Sequence, residues 1–353
     1  MHFAILVPAH DEEAGIGRTL ASLERMDYPR ERFETIVVAD NCSDRTAAVA
    51  RSAGATVLER YVPDELGKGQ ALAWALPRLL ARRPELEAVA VVDADCEASA
   101  NLLRSFEARL RSGSAAVQAR YVTANPHGSR TSALRFAAFS LQNSVRPAGK
   151  ERLGLSCGLF GTGMGFSRPL LERHPWRAFT LAEDVEYHLE LVTAGEHVSF
   201  AAEAFVRSPM PTSLGESSEQ RIRWESGRWE LARVRTPRLI AAAVRTRDVR
   251  RLHSGLELLV PPTSLLLAGN AATLALAALL GSRRSRALAA GNVAAQLCFV
   301  LGGLRLVKAP RDVYRALAFA PILAAHSLTL HARILAGRGP TRWLRTERER
   351  SLS

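Results

Sequence analysis

Residues 88–97 have the sequence Ala-Val-Ala-Val-Val-Asp-Ala-Asp-Cys-Glu, in which a short apolar run stops at two acids spaced i, i+2. An apolar run of this length is typical of a buried strand, and the carboxylates of Asp93 and Asp95 are unfavourable at its end unless a positive charge compensates them. A divalent cation that bridges a diphosphate is the obvious compensator, because hard cations bind carboxylate and phosphate oxygens together. The motif therefore indicates metal-assisted transfer from a nucleotide-activated donor, although Asp is also common where a strand enters a solvated turn.

Short apolar runs alternate with helical patterns through the first half of the chain. The predicted strands are 3–7, 35–39, 55–59, 89–92 and 115–119, and the predicted helices are 17–26, 44–53, 70–82 and 100–111. Strands that alternate with helices form βαβ units, which predict a mostly parallel sheet covered on both faces. Ligands of such sheets bind beyond the carboxyl ends of the strands, so the polar residues that follow the predicted strands are candidate site residues.

The loop after the first predicted strand combines a rigid proline with three acids. It has the sequence Pro8-Ala9-His10-Asp11-Glu12-Glu13. A loop of this composition can hold a base and a ribose, because a carboxylate accepts hydrogen bonds from sugar hydroxyls. The same acids also suit the start of a helix, so the loop alone leaves both interpretations open.

Two further loops carry candidate donor contacts. Asp40 ends the second predicted strand, where it could contact a uracil-like base, while Asp44 could cap the helix that follows. Lys68 lies between Gly67 and Gly69 before the third predicted helix, so that small residues allow close backbone approach and the lysine supplies positive charge. A solvated turn is the alternative for the glycine-flanked lysine.

The charge of the chain is distributed unevenly. Residues 237–353 contain 18 Lys and Arg against 5 Asp and Glu, whereas residues 1–236 contain 29 against 30. The basic excess flanks long apolar runs, which is typical of membrane segments that face anionic headgroups. A nucleic-acid-binding protein would instead have a compact basic face, so no nucleic-acid partner is expected.

Four widely scattered cysteines argue against a structural metal site. They form no CxxC pair and no cluster with zinc spacing, which fits a reducing compartment. The apolar residues 3–7 are too few for the core of a secretory signal and lead directly into Pro8 and acids. We therefore expect the N-terminus to stay in the cytosol.

The C-terminal third contains candidate membrane helices. Residues 263–280 and 287–304 are mostly apolar and about long enough to span a bilayer. Residues 313–335 are a weaker third candidate that could lie in the headgroup plane, and a soluble helical domain is the alternative for all three. Three arginines at 283, 284 and 286 would lie outside if the first helix spans from the cytosol, against the positive-inside tendency. A re-entrant hairpin would remove that conflict.

Taken in order, the motifs resemble those of the family-2 inverting glycosyltransferases over residues 3–230. The nucleotide-binding half is matched by residues 8–13, 40–46 (Asp-Asn-Cys-Ser-Asp-Arg-Thr), 67–69 and 93–95. Residues 161–166 (Gly-Thr-Gly-Met-Gly-Phe) resemble the acceptor-side glycine segment and residues 181–184 (Leu-Ala-Glu-Asp) the Glu-Asp motif. Residues 220–224 (Gln-Arg-Ile-Arg-Trp) resemble the QxxRW pattern of membrane-attached members such as cellulose and hyaluronan synthases. Asp11 and Ala39 depart from the family pattern, which usually has Asn and an acid there.

The resemblance implies a Rossmann-like α/β domain of the GT-A type that uses Mg²⁺ or Mn²⁺. Asp95, together with Asp93, would hold the metal, and Gly161, Thr162 and Gly163 would contact the acceptor. The implied donor contacts are Pro8, Ala9, His10, Glu12, Asp40, Lys68, Asp93, Gln220, Arg223 and Trp224.

Inversion requires a single displacement, in which the acceptor hydroxyl needs a base within hydrogen-bond reach. Asp184 is the candidate base, and the neighbouring carboxylate of Glu183 can raise its pKa. Both acids would also suit the start of a helix over residues 185–192, and the two interpretations are compatible.

Gln220, Arg223 and Trp224 are spaced i, i+3, i+4, so they share one face of a helix. Arg223 can pair with a diphosphate, while Trp224 offers a flat surface to a sugar ring. An amphipathic helix lying against the membrane is the alternative for this segment.

We therefore predict a catalytic domain over residues 1–236, a membrane-associated helical region of two or three apolar helices over 237–340, and a disordered basic tail over 341–353. The expected reaction moves a sugar from a nucleoside-diphosphate sugar, with UDP-sugars favoured, to a lipid-linked or polysaccharide acceptor. The catalytic domain is expected at the cytosolic face of the cell (inner) membrane. A metal-dependent nucleotidyltransferase acting on a sugar phosphate is the alternative, and it would release pyrophosphate.

Overall fold

The computed structural model describes residues 1–124, 127, 129–208 and 216–335, leaving out the side chains of 216–221, 223, 323 and 332–335. Within these ranges the chain folds around one mixed β-sheet. Its strands are β1 (Phe3–Ala9), β2 (Phe33–Asp40), β3 (Thr56–Arg60), β4 (Ala88–Val91), β5 (Glu97–Ala98), β6 (Ala116–Thr123), β7 (Met164–Ser167) and β8 (Val198–Ser208). Their order across the sheet is β3-β2-β1-β4-β7-β6-β8-β5.

The half of the sheet built from the N-terminal segments is parallel, as predicted. β1 pairs in parallel with β2 and with β4, and β2 pairs in parallel with β3. Beyond β4 the sheet is mixed, because β7 is antiparallel to both β4 and β6. The sequence did not predict β7, whose four residues include Gly165 and do not form an apolar run.

Helices cover both faces of the sheet. Those of the N-terminal part are α1 (Ile16–Glu24), α2 (Thr46–Ser52), α3 (Lys68–Arg82), α4 (Leu102–Arg111), α5 (Arg130–Ser140), α6 (Arg146–Arg152), α7 (Arg168–Arg173) and α8 (Glu183–Thr193). A π-helical turn, Leu141–Val145, joins α5 to α6.

The two faces of the central strand form two separate cores, because successive residues of a strand point to opposite faces. Ile5 and Val7 of β1 pack in a cluster with side chains of α1 and α4. Ala4 and Leu6 pack on the other side with α3, α7 and α8. The predicted α/β architecture with both faces covered is therefore confirmed.

Two helices continue the chain after the sheet. α9 (Glu216–Thr246) and α10 (Val249–Glu257) pack against each other, and the Thr236 hydroxyl donates to the Gly255 carbonyl at 3.2 Å. α9 runs without a break across residues 236 and 237, so the predicted domain boundary falls inside a helix. The division into domains stays a prediction.

The C-terminal region contains α11 (Thr263–Leu280), α12 (Arg283–Leu306), α13 (Arg311–Ala316) and α14 (Ala320–Leu335). α11 and α12 are long and apolar enough to cross a membrane, with lengths of about 27 Å and 36 Å at 1.5 Å per residue. Residues 311–322 and 324–331, bent by 47°, together form a third, broken candidate span. The predicted tail, residues 341–353, lies outside the described residues.

Candidate active site

The carboxyl ends of β1, β2 and β4 lie at one edge of the sheet, because the three strands run parallel. His10 follows β1, Asp40 ends β2 and Asp93 comes just after β4. The His10 Nδ1 lies 2.7 Å from the Asp40 carbonyl oxygen. His10, Asp40 and Asp93 therefore all lie beyond the strand ends, where the sequence predicted the site.

The loops after β1 and β2 are joined by hydrogen bonds. Asp11, with φ of 52°, accepts from the Ser43 N–H at 2.6 Å and the Ser43 hydroxyl at 3.0 Å. Burial alone would raise the pKa of Asp11, but the bonds from Ser43 outweigh it and lower that pKa. Glu12 donates its N–H to Thr46 Oγ1 at 2.7 Å, and its carbonyl accepts from Ile16 at the start of α1. The Pro8–Glu12 segment is thus held rigidly against the loop after β2.

Asp40 is buried and paired with an arginine. Its Oδ1 accepts from Arg60 Nη1 at 2.7 Å and from Asn41 Nδ2 at 3.1 Å. Burial raises the pKa of Asp40, although the charge of Arg60 opposes the shift. In the described part of the chain no hydrogen bond reaches Asp40 Oδ2. This oxygen is therefore an available acceptor at the site where a base was predicted.

Lys68, the first residue of α3, connects two of the predicted segments. Its Nζ contacts Asp93 Oδ1 and donates to the Gly161 carbonyl. The Asp93 N–H in turn donates to Thr162 Oγ1 at 3.0 Å. Burial would lower the pKa of Lys68, but the charges of Asp93 and then Glu183 outweigh it and raise that pKa. Lys68 therefore stays charged beside the acids.

Glu183 and Asp184 are the first two residues of α8, and Asp184 Oδ1 accepts from the Val185 N–H at 2.8 Å. A Cβ placed on Gly161 would lie 3.5 Å from Asp184 Oδ2 and 3.6 Å from Lys68 Nζ. Asp184 therefore lies close to Lys68 and the glycine segment, and we call the surroundings of Gly161 the cleft. Burial raises the pKa of Asp184, and burial followed by the Asp184 charge raises the pKa of Glu183.

The residues after β4 could hold a divalent cation. Ligand atoms of Asp93, Asp95 and Cys96 all lie within 4.8 Å of one another. Burial, followed by the charge of Asp95, raises the pKa of the Cys96 thiol well above its ordinary value, and a hard cation prefers oxygen ligands to a thiol. The remaining donors are two carboxylates, which fit a hard cation such as Mg²⁺ or Mn²⁺.

The helix that carries the predicted QxxRW segment packs against Leu181 and Ala182, the two residues before Glu183 and Asp184. A Cβ on Gly227 of α9 would lie only 2.9 Å from the Ala182 N, so a glycine is required for this close approach. Trp224 lies on α9 with 41% of its surface exposed. Gln220 and Arg223 also fall on α9, but their side chains lie outside the described residues. Their donor contacts remain predictions.

Arg60 and Gly227 are site residues that the sequence did not indicate. Arg60 ends β3 directly opposite Asp40 of β2, so the pairing of the two strand ends was the signal that could have found it. Gly227 lies one helical turn after Trp224, and a glycine inside a long helical pattern indicates close packing.

A family profile described as "Glycosyltransferase like family 2" matches residues 2–227. The chain is 27% identical over 239 residues to the "Probable glycosyltransferase YdaM" of Bacillus subtilis, covering 64% of this chain and 54% of that protein. It is 27% identical over 234 residues to the "Beta-monoglucosyldiacylglycerol synthase" of Trichormus variabilis, covering 64% and 49%. The chain thus spans about half the length of these curated relatives.

A solved structure with a similar fold is the mannosyltransferase PcManGT from Pyrobaculum calidifontis in complex with GDP-Man and Mn²⁺. The TM-score is 0.57 at 19% identity, and the match covers 96% of this chain and 88% of that one. At this identity the likeness shows a shared fold.

Proposed function

The chain belongs to the glycosyltransferase-like family 2, and we propose that it transfers a sugar from a nucleoside-diphosphate sugar to a hydroxyl group of a membrane lipid, with inversion at the anomeric carbon. The observation that carries this proposal is the single cleft around Gly161, where Lys68, Asp93 and Asp184 come together. Charged groups for a diphosphate and a base for an acceptor thus lie a few ångströms apart.

The nucleotide would bind beyond the ends of β1 and β2. Asp40 Oδ2 would accept from a ring N–H of the base, which uracil offers at N3, and UDP-sugars are the donors that we favour. His10 and Glu12, with the backbone of Pro8 and Ala9, would line the adjoining ribose position. The rigid link between the two loops supports a preformed site.

The diphosphate would lie near the residues after β4. Asp95 and Asp93 would hold Mg²⁺ or Mn²⁺, which supplies positive charge to the departing nucleoside diphosphate. Lys68 adds a fixed positive charge at the same place and is held by the Gly161 carbonyl. Arg223 and Trp224 on α9 are the proposed contacts to the diphosphate and the sugar, with Gln220 on the same helix face.

Asp184 would act as the general base. The acceptor oxygen forms a bond to the anomeric carbon, and the bond from that carbon to the β-phosphate oxygen breaks with its electron pair on the nucleoside diphosphate. The proton of the acceptor hydroxyl passes to Asp184. A raised pKa suits this role, because it makes the carboxylate a stronger base. Burial is the main cause of this raised pKa, with the charge of Asp93 adding to it. Glu183, beside the base, has its own pKa raised by burial and then by the charge of Asp184.

Membrane attachment favours a lipid acceptor. α11 and α12 could span a bilayer, and α12 packs through Val300 and Leu304 against α5 and the π-helical turn of the catalytic part. The Trichormus variabilis relative is named as a synthase of a glycosyl diacylglycerol. We place the catalytic part on the cytosolic side, where nucleotide sugars are made.

The test uses the whole 353-residue chain in nanodiscs with dioleoylglycerol and a panel of UDP- and GDP-sugars. Release of nucleoside diphosphate together with a glycosylated lipid of inverted anomeric configuration is expected, and EDTA should abolish both. Release of pyrophosphate would instead identify a nucleotidyltransferase. Retained configuration in the product would overturn the single-displacement mechanism.

A further inference from the structure

Gln118, near the start of β6, is a fully buried polar residue beside the glycine segment of the cleft. Its Oε1 accepts from the Phe160 N–H at 2.9 Å. Its Nε2 lies 2.8 Å from the Thr162 carbonyl, 2.9 Å from that of Ala119 and 3.1 Å from that of Gly163. Three carbonyl oxygens around one end and an N–H at the other fix the orientation of the amide.

The segment 160–163 depends on this amide because its backbone turns sharply. Gly161 and Gly163 have φ of 81° and 63°, so the carbonyls on either side of Thr162 point in different directions. The carbonyls of Thr162 and Gly163 face the interior, where each buried acceptor needs a donor. The Gly163 carbonyl accepts from the Ala119 N–H at 2.8 Å, and Gln118 on the neighbouring strand supplies a donor to the Thr162 carbonyl.

The opposite side of the same segment faces the cleft. The Gly161 carbonyl accepts from Lys68, and Thr162 Oγ1 accepts from the Asp93 N–H. Gln118 therefore holds segment 160–163 from behind, while Gly161 and Thr162 of this segment contact Lys68 and Asp93 on its other side. A Cβ placed on Gly161 would lie 3.5 Å from Asp184 Oδ2.

We propose that Gln118 is a positioning residue that sets the acceptor side of the cleft. By fixing the 160–163 backbone, it determines where an acceptor hydroxyl lies relative to Asp184. Gln118 itself contacts neither donor nor acceptor and acts through Gly161 and Thr162. This inference rests on the proposed function, since it assigns the glycine segment to the acceptor.

The test compares Gln118→Met, which keeps the length of the side chain and removes its hydrogen bonds, with the wild type. For transfer from the active sugar nucleotide to dioleoylglycerol, kcat should fall on the order of 10- to 100-fold, because a small misplacement of reacting groups has effects of this size. The acceptor KM should rise, while the affinity for Mn²⁺–UDP should fall by a smaller factor than kcat, since segment 160–163 reaches the donor side indirectly, through the Gly161–Lys68 and Thr162–Asp93 contacts. Amide hydrogen exchange at Phe160 should accelerate.

Ser199→Ala is the matched control. It removes another buried hydrogen bond, from Ser199 Oγ to the Ala116 carbonyl at 3.3 Å, without touching segment 160–163. Its kcat, acceptor KM and Phe160 exchange should stay at wild-type values. If Gln118→Met does not fold, Gln118→Asn, which keeps the amide but shortens its reach, carries the same comparison.

Equal effects of the Gln118 and Ser199 variants, or a Gln118 variant with unchanged acceptor kinetics, would overturn the inference. Failure of the proposed function gives a different result, because the wild type would then transfer no sugar to the lipid. In that case unchanged exchange at Phe160 in Gln118→Met would still reject the positioning role, and faster exchange would support it.

Discussion

Arg60 and Asp40 end two neighbouring parallel strands and meet in a buried ion pair, with Arg60 Nη1 2.7 Å from Asp40 Oδ1. The register of β2 against β3 places the two residues opposite each other, and their side chains are only 1% and 6% exposed. Arg60 also donates to the Glu65 carbonyl at 2.8 Å, which ties the loop before α3 to the same carboxylate. The orientation of Asp40 in the proposed nucleotide site therefore depends on Arg60.

Arg60→Met should destabilise the protein by about 3–5 kcal/mol, because it leaves a buried carboxylate without its partner. Combining it with Asp40→Asn should restore part of that loss, since the uncompensated charge is then removed. Urea unfolding in detergent micelles, followed by tryptophan fluorescence, measures the free energies of unfolding.

The control for this pair is Arg30→Met, which breaks an exposed ion pair with Glu24 whose side chains are 57% and 47% exposed. Its effect should stay below about 1 kcal/mol. Equal destabilisation by the two arginine variants would show that the buried Arg60–Asp40 pair contributes no more to the free energy of unfolding than an exposed ion pair.

Asp184→Asn should reduce kcat for sugar transfer about 100- to 10,000-fold, the range expected when a general base is removed. Binding of Mn²⁺–UDP, measured by calorimetry, should change little, because the base acts on the acceptor. Asp27→Asn is the surface control, since Asp27 pairs with Arg104 away from the cleft. A parallel loss of nucleotide affinity in Asp184→Asn would assign this residue to the donor side instead.

The raised pKa values of Glu183 and Asp184 predict an unusual pH profile for sugar transfer. Burial raises the pKa of both Glu183 and Asp184, so transfer should rise with pH and reach half its maximum at a higher pH than an ordinary carboxyl would give. The charge of Lys68 lowers both pKa values, so Lys68→Met should move this acidic limb to still higher pH. A normalised profile of kcat/KM measures the shift, and movement to lower pH would contradict the proposed arrangement.

The same pKa shifts predict how stability depends on pH. A carboxyl whose pKa is higher in the folded than in the unfolded state contributes stability at low pH, and this contribution is lost as pH rises through the folded pKa. The thermal midpoint should therefore decline over the range in which activity rises. Asp184→Asn should flatten that decline, and an unchanged slope would show that the pair does not cause it.

Substituting Asp95 and its neighbour Cys96 one at a time tests which of the two side chains binds the metal. Asp95→Asn should weaken Mn²⁺-dependent donor binding about 10- to 100-fold, measured by titrating UDP with and without EDTA. Cys96→Ala should keep the metal dependence, because Mg²⁺ and Mn²⁺ prefer carboxylate oxygens to a thiol. If the cysteine variant loses metal dependence and the aspartate variant keeps it, the assigned ligands are wrong.

The sequence predicted the parallel half of the fold well, because its strands are continuous apolar runs separated by amphipathic helices. It did not predict β5 and β7, which are too short to give a pattern, nor the eleven-residue β8, and it missed that the sheet is mixed. The gathering of Asp40 and Asp93 at one edge followed from the parallel topology alone.

Other parts of the site could not be derived from the residues themselves. Asp184 follows Lys68 by more than a hundred residues, and only the family resemblance indicated that the two share a cleft. Gln118 and Arg60 are polar residues within or at the end of strands, where a single sequence does not distinguish a buried partner from a solvent-facing side chain. Their roles depend on strand register, which the structure supplies.

The last prediction concerns the close contact of α9 with Leu181 and Ala182, the two residues before Glu183 and Asp184. Gly227→Ala would place a Cβ 2.9 Å from the Ala182 N and 3.1 Å from the Leu181 carbonyl carbon, both of them backbone atoms that cannot move aside easily. α9 should shift away from Glu183, lowering kcat on the order of 10-fold, as small displacements at a reacting centre do. The control is Gly17→Ala in α1, where an added Cβ meets nothing within 4 Å, so this variant should keep full activity and gain up to about 1 kcal/mol of stability. Wild-type kcat in Gly227→Ala would show that the proximity of α9 to the acidic pair is not needed for transfer.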